Sequence, residues 1–108
     1  MTFQVILTED AVHDLAGIDI WICTHDSVKS ADYVLGEIEA KLNSLQDLPE
    51  RGVYPVELSS IGIREYREIH FKPYRIIYRI MADRIYVYLI ADGRRDMQIL
   101  LNRRLLSS

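Results

Sequence analysis

Apolar residues in this chain recur first at strand spacing, then over a long stretch at helical spacing, and then at strand spacing again. Phe3 to Thr8 is a short β-rich run, expected to pair with a later sheet. Thr8, followed by Glu9 and Asp10, marks a helix start: a hydroxyl can cap free N–H groups, and acids suit the positive end of the helix dipole. Ala11, Leu15, Ile18 and Ile22 then share one face, with Trp21 beside them, and the helix is expected to stop near His25. Asp26 or Ser27 can cap a second helix. Its apolar positions are Ala31, Val34, Leu35, Ile38, Leu42 and Leu45, the clearest periodicity in the chain. Pro49 and Gly52 end it.

Residues 49–63 read as a loop broken by Pro49, Gly52, Pro55 and Gly62. Three strands follow, Arg64–Phe71, Tyr74–Met81 and Arg84–Ala91, with Lys72-Pro73 and Ala82-Asp83 at the turns. Connections this short require antiparallel pairing. Asp92-Gly93 closes the last strand. Asp96 can cap a final short helix with Met97, Leu100, Leu101 and Leu105 on one side. The order is β-α-α-β-β-β-α. An α+β fold follows, a single domain over residues 1–108 in which a helical hairpin packs its apolar stripe on an antiparallel sheet.

A chain of 108 residues can build one domain with a real core. It has no apolar run of transmembrane length and no secretory pattern at its start, so the expected location is cytoplasmic, without a membrane partner. Cys23 is the one cysteine and reads most simply as a small core residue. His13, His25 and Cys23 lack zinc spacing, and Gly93-Arg94-Arg95 lacks the spacing of a phosphate loop, so neither metal nor cofactor is expected.

Charge changes the picture more than composition does. Residues 1–63 carry a net charge of -8 and residues 64–108 a net charge of +5. Such a split implies an acidic surface and a basic one, the second able to attract a polyanion or an acidic protein, unless the basic residues are merely scattered and solvated. On the strand Tyr74–Met81, period two puts Arg75, Ile77 and Arg79 on one face and Tyr74, Ile76, Tyr78 and Ile80 on the other. Arg75 and Arg79 could pair with Glu65, Glu68 or Asp96. Yet Arg67, Arg75, Arg79, Arg94 and Arg95 outnumber the nearby acids, which leaves some of them for a ligand or partner.

Tyr66-Arg67-Glu68, the run PYRIIYR from Pro73 to Arg79, the segment Val87 to Ala91 and the motif GRRD from Gly93 to Asp96 together resemble the RelE/ParE superfamily of bacterial toxins. GVYPVEL, Gly52 to Leu58, resembles the segment that precedes the sheet in that family. The resemblance covers nearly the whole chain and is closest to the ParE branch. It implies the toxin of a type II toxin–antitoxin module, associated with plasmid stabilisation, that poisons DNA gyrase and is neutralised by a cognate antitoxin. It also implies a dimer or a heterotetramer with that antitoxin. On this reading Arg67, Arg75, Arg79, Arg94 and Arg95 bind antitoxin or target, and Arg75, Arg79, Arg94 and Arg95 border the groove that the antitoxin fills.

The RelE branch implies a different activity, cleavage of messenger RNA on the ribosome. That reaction needs a base for the 2′-hydroxyl, an acid for the leaving oxygen and cations for the phosphorane. By the resemblance, Arg75 and Arg95 match phosphate-binding arginines, and Arg67 falls where those enzymes place a lysine. His70 could titrate near neutrality, or simply be a surface residue at a strand end. Tyr66, Tyr86 and Tyr88 suit sheet packing. Where RelE-like enzymes carry a tyrosine in the C-terminal helix, this chain has Leu101 or its neighbours. The proton-transfer set is incomplete.

Overall fold

The computed structural model describes residues 2–106; the last two residues of the expected C-terminal tail lie outside them. Strand β1 (Gln4–Leu7) leads into helices α1 (Glu9–His25) and α2 (Val28–Ser44). A short helix α3 (Val56–Ser59) precedes β2 (Arg67–Phe71), β3 (Tyr74–Met81) and β4 (Arg84–Asp92). Helix α4 (Met97–Leu101) runs into a π-helical turn, Asn102–Leu106. The caps are those the sequence offers: Thr8 accepts from the N–H of Ala11, and Asp96 from that of Ile99. Of the two candidates for α2, Ser27 is the cap, accepting from the N–H of Ser30. Asp26 instead closes α1, its N–H donating to the Ile22 carbonyl.

The architecture is the expected α+β fold, with strand order β1-β4-β3-β2. β2, β3 and β4 pair antiparallel, whereas β1 lies parallel to β4 along Arg84–Val87, so the sheet is mixed. Parallel pairing needs a long connection, and the helical hairpin with everything up to β4 supplies it. The first hairpin strand begins at Arg67 rather than Arg64. The expected loop is also more ordered than its glycines and prolines imply: it contains α3, and Val53 exchanges both backbone hydrogen bonds with Glu68.

Both faces of the sheet are covered. Ala11, Ile38, Leu42 and Leu45 of the hairpin side pack on Ile69, Ile76, Tyr78, Ile85 and Val87. On the opposite face, Leu58 of α3 with Met97 and Leu101 of α4 bury Ile77, Leu89 and Ala91. The second core is possible because the β3–β4 register shifts between Ile77 and Tyr78, leaving Tyr88 without a partner. This β-bulge puts Tyr88 and Leu89, consecutive residues, against the same core and reverses the alternation beyond them. Cys23 is a departure from expectation. It is half-buried on α1, outside both cores, with its Sγ 3.6 Å from Asp19 Oδ1.

Tyr78 anchors the segment before α3. Its hydroxyl accepts from the Gly52 N–H at 3.1 Å and donates to the Pro49 carbonyl at 2.7 Å. A Cβ at Gly52 would lie 2.6 Å from that hydroxyl and 2.7 Å from the Glu68 carbonyl oxygen. Gly52→Ala is therefore expected to lower unfolding free energy by about 1–3 kcal/mol in urea titrations. Unchanged stability would show that this anchor is dispensable. Ala82, in the two-residue turn between β3 and β4, has φ 58°, a left-handed conformation that disfavours a side chain. Ala82→Gly should gain about 0.5 kcal/mol by the same measurement, the relief being partly offset by a more flexible unfolded chain.

Candidate functional site

The five arginines expected to form one basic surface are split among separate environments. Arg75 is the most enclosed, its side chain 14% exposed. Its Nε donates to Glu68 Oε1 at 2.6 Å and Nη2 to Glu68 Oε2 at 3.0 Å. On its other side Nη1 and Nη2 donate to the two Glu57 oxygens at 2.8 and 2.7 Å. One planar guanidinium thus holds two carboxylates, each by a pair of bonds. The alkyl stem lies under the β4–α4 turn, where a Cβ on Gly93 would come within 2.8 Å of it. The expectation had Arg75 facing a partner or a phosphate; in this structure it is enclosed between Glu57 and Glu68. Its donors point at carboxylates inside the chain.

Arg67 is half-buried rather than presented. Its Nη1 donates to the Gly52 carbonyl at 3.0 Å and Nη2 to the Tyr54 hydroxyl at 3.3 Å, with the guanidinium 4.7 Å from the centre of the Tyr54 ring. Arg79 lies 5.8 Å from the centre of the Tyr66 ring. His70 is 47% exposed, and its Nε2 is 3.1 Å from Glu68 Oε1. That carboxylate oxygen also accepts from Arg75, so the imidazole sits in the same cluster rather than beside an open phosphate site. Burial raises the Tyr88 phenol above its ordinary range, which makes it a poorer acid. Leu101 is fully buried in the second core.

Arg94 and Arg95 do reach solvent. Arg94 is 78% exposed and donates to Asp92 at 2.6 Å, which holds the Asp92 carboxyl below its ordinary range. Both arginines line a groove of about 520 Å³ between α1 and the end of β4, with His13, Ile18 and Trp21 on its helical wall. Arg75 and Arg79 do not line it, so the expected four-arginine border is reduced to two. Among the described residues, no group of three His, Cys, Asp or Glu side chains could hold a metal ion. No helix among them is long and apolar enough to cross a membrane.

Three residues important to this geometry were missed by sequence reasoning. Glu57 lies in a segment read as loop, yet α3 aims it at Arg75. Arg104, 90 residues from Asp14, donates two hydrogen bonds to its carboxylate, at 2.9 and 3.0 Å, and so ties the π-helical turn to α1. Asp14 and Asp10 hold the Arg104 guanidinium more firmly protonated than usual, the Asp14 hydrogen bond contributing most.

Removing Arg75 leaves Glu68, 6% exposed, as an uncompensated buried carboxylate. Arg75→Ala should therefore lower unfolding free energy by about 3–5 kcal/mol, far more than an exposed arginine would. Acid should act on the same joint. The Arg75 hydrogen bonds hold the Glu57 carboxyl below its ordinary range, so the stability it contributes is present at neutral pH. It is lost as pH falls below about 4 and Glu57 takes up a proton. Urea titrations down that range should show a shallower decline in Glu57→Gln than in the unmodified chain. Parallel curves would count against the pairing.

The family described as ParE toxin of type II toxin–antitoxin system, parDE, matches residues 5–97. Toxin ParE3 of Caulobacter vibrioides is 27% identical over 101 residues, which span 94% of this chain and 97% of that protein. Among solved structures, the chromosomal ParDE TA system from P. aeruginosa superposes with a TM-score of 0.70 at 16% identity, covering 84% of this chain and 96% of that one. A double mutant of E. coli toxin RelE in the free state gives 0.66 at 14% identity, covering 97% and 100%. At such identities these two establish the shared fold. With a family match that spans most of its length, the chain belongs to the ParE toxin family of type II toxin–antitoxin systems.

Proposed function

We propose that this toxin arrests growth by binding and poisoning DNA gyrase in the cytoplasm, and that a cognate antitoxin neutralises it by forming a dimer or heterotetramer with it. The state of Arg75 carries the choice between gyrase and messenger RNA. A phosphate clamp needs guanidinium donors that are free when the substrate arrives. Here the bonds to Glu57 and Glu68 use four of its five donors, and both carboxylates would repel an incoming phosphate. Proton transfer lacks support as well, since Leu101 is buried and His70 shares a carboxylate with Arg75. Without general acid, general base or free cation at one point, RNA cleavage has no assembled site. The chemistry favours a protein that acts by binding.

The test is expression under tight control, followed by two reconstituted assays with purified protein. Growth should stop, gyrase supercoiling should be inhibited, and messages translated on ribosomes should stay intact. Codon-dependent cleavage that disappears in a folded Arg75→Lys variant would overturn the proposal in favour of the ribosome-dependent nuclease. Harmless expression with retained antitoxin binding would instead indicate a toxin fold kept only for autoregulation.

A further inference from the structure

We infer that α1 is a self-recognition surface, through which two copies of this chain pair antiparallel about a two-fold axis at Gly17; the pairing is independent of the target proposed above. Glu9, His13, Gly17, Trp21 and His25 stand four residues apart, so they line one ridge of the helix. All five are exposed, while Ala11, Leu15, Ile18 and Ile22 supply the face turned to the core. Gly17 is the midpoint of Glu9–His25. An axis through it sets each end of the ridge against the opposite end of the partner's ridge.

Shape suits this pairing. A glycine inside a helix weakens it, and a close neighbour usually explains its presence. Here a Cβ at Gly17 would meet nothing within 4 Å, so packing within the chain does not require glycine. The close neighbour is then another chain crossing at that point. Ile20 and Trp21, 67% and 59% exposed, flank the crossing with apolar surface. His25 stacks on Trp21, the ring centres 4.2 Å apart and the planes 14° from parallel, which restricts the indole before a partner arrives. Trp21 and the partner's His13 fall on the same side of the axis, each about 6 Å along the helix from it.

Charge names a second copy as the occupant. Glu9 and Arg95 are exposed, and among the described residues neither has an ion pair. Asp10 and Asp14 lie beside residues 88–90 of β4, through Arg104 and the Ile90 N–H. This part of β4 and α1 therefore advance together, and Arg94 and Arg95 fall beside the Trp21 end of α1, with which they line one groove. In an antiparallel pair the partner's first turn arrives at that end, bringing the partner's Glu9 to Arg95. Symmetry makes the contact twice. Asp14 and Asp92, the carboxylates nearest the path, are already engaged by Arg104 and Arg94. A nucleic acid fits this face poorly, since Glu9 and Asp10 would repel its phosphates and Ile20 and Trp21 would stay uncovered.

Sedimentation of the purified full-length chain, from micromolar to millimolar concentration, tests the pairing. Trp21 is the sole tryptophan, so 5-fluorotryptophan gives one 19F signal. A monomer–dimer equilibrium should appear, and the Trp21 signal should move with the dimer fraction. Glu9→Arg and Arg95→Glu should each weaken the dimer by roughly tenfold or more, because each reverses two symmetric contacts. The double variant carrying both changes should recover most of that loss, which mere damage to the fold would not do. Gly17→Leu should abolish the dimer while melting at an equal or higher temperature. A chain that stays monomeric at millimolar concentration would overturn the inference, whatever else binds at Trp21. So would a dimer with an unmoved Trp21 signal, or one that the charge swap fails to restore.

Discussion

One guanidinium between two carboxylates holds the sheet to the segment that crosses its end. Glu68 comes from β2 and Glu57 from α3, and Arg75 on β3 binds both. Charges this enclosed persist only when paired, because taking an ion out of water costs several kcal/mol unless a partner offsets it. The pairing therefore fixes where α3 lies. With α3 in place, Leu58 completes the second core over Ile77 and Leu89. Tyr78 adds a second tie from the other face, through Gly52 and Pro49.

The same joint separates two uses of one fold. A strand arginine in this architecture can reach phosphate when its donors are free, or serve as a strut when carboxylates occupy them. In this chain Arg75 is a strut. Of the five arginines expected to form one basic surface, Arg94 and Arg95 are the exposed ones, and they lie past the end of β4 rather than on the face of the sheet.

Much of the fold was legible because its signals are local. Thr8, Ser27 and Asp96 announce helices through oxygens that can reach N–H groups three residues on, and two-residue turns leave β3 and β4 no choice but to pair. The parallel placement of β1 was not legible, since its partner lies some eighty residues later. Period two gave the faces of β3 correctly but could not foresee the bulge at Tyr88, which recruits Leu89 and Ala91 to the arginine face. That face consequently became a core instead of a surface. The site was least legible at its acids. Glu57 lay in a segment read as loop and Asp14 carried no signal of its own on α1, and only long-range folding brings them to Arg75 and Arg104.

The claim that Arg75 is a strut can be read directly from its own nitrogen. In 15N-resolved NMR, the Arg75 Nε–H that donates to Glu68 at 2.6 Å should give a downfield, slowly exchanging signal. Titration with a short single-stranded RNA should leave that signal in place. A rapidly exchanging Arg75 signal, or one that shifts as RNA is added, would contradict the account and return the arginine to phosphate chemistry.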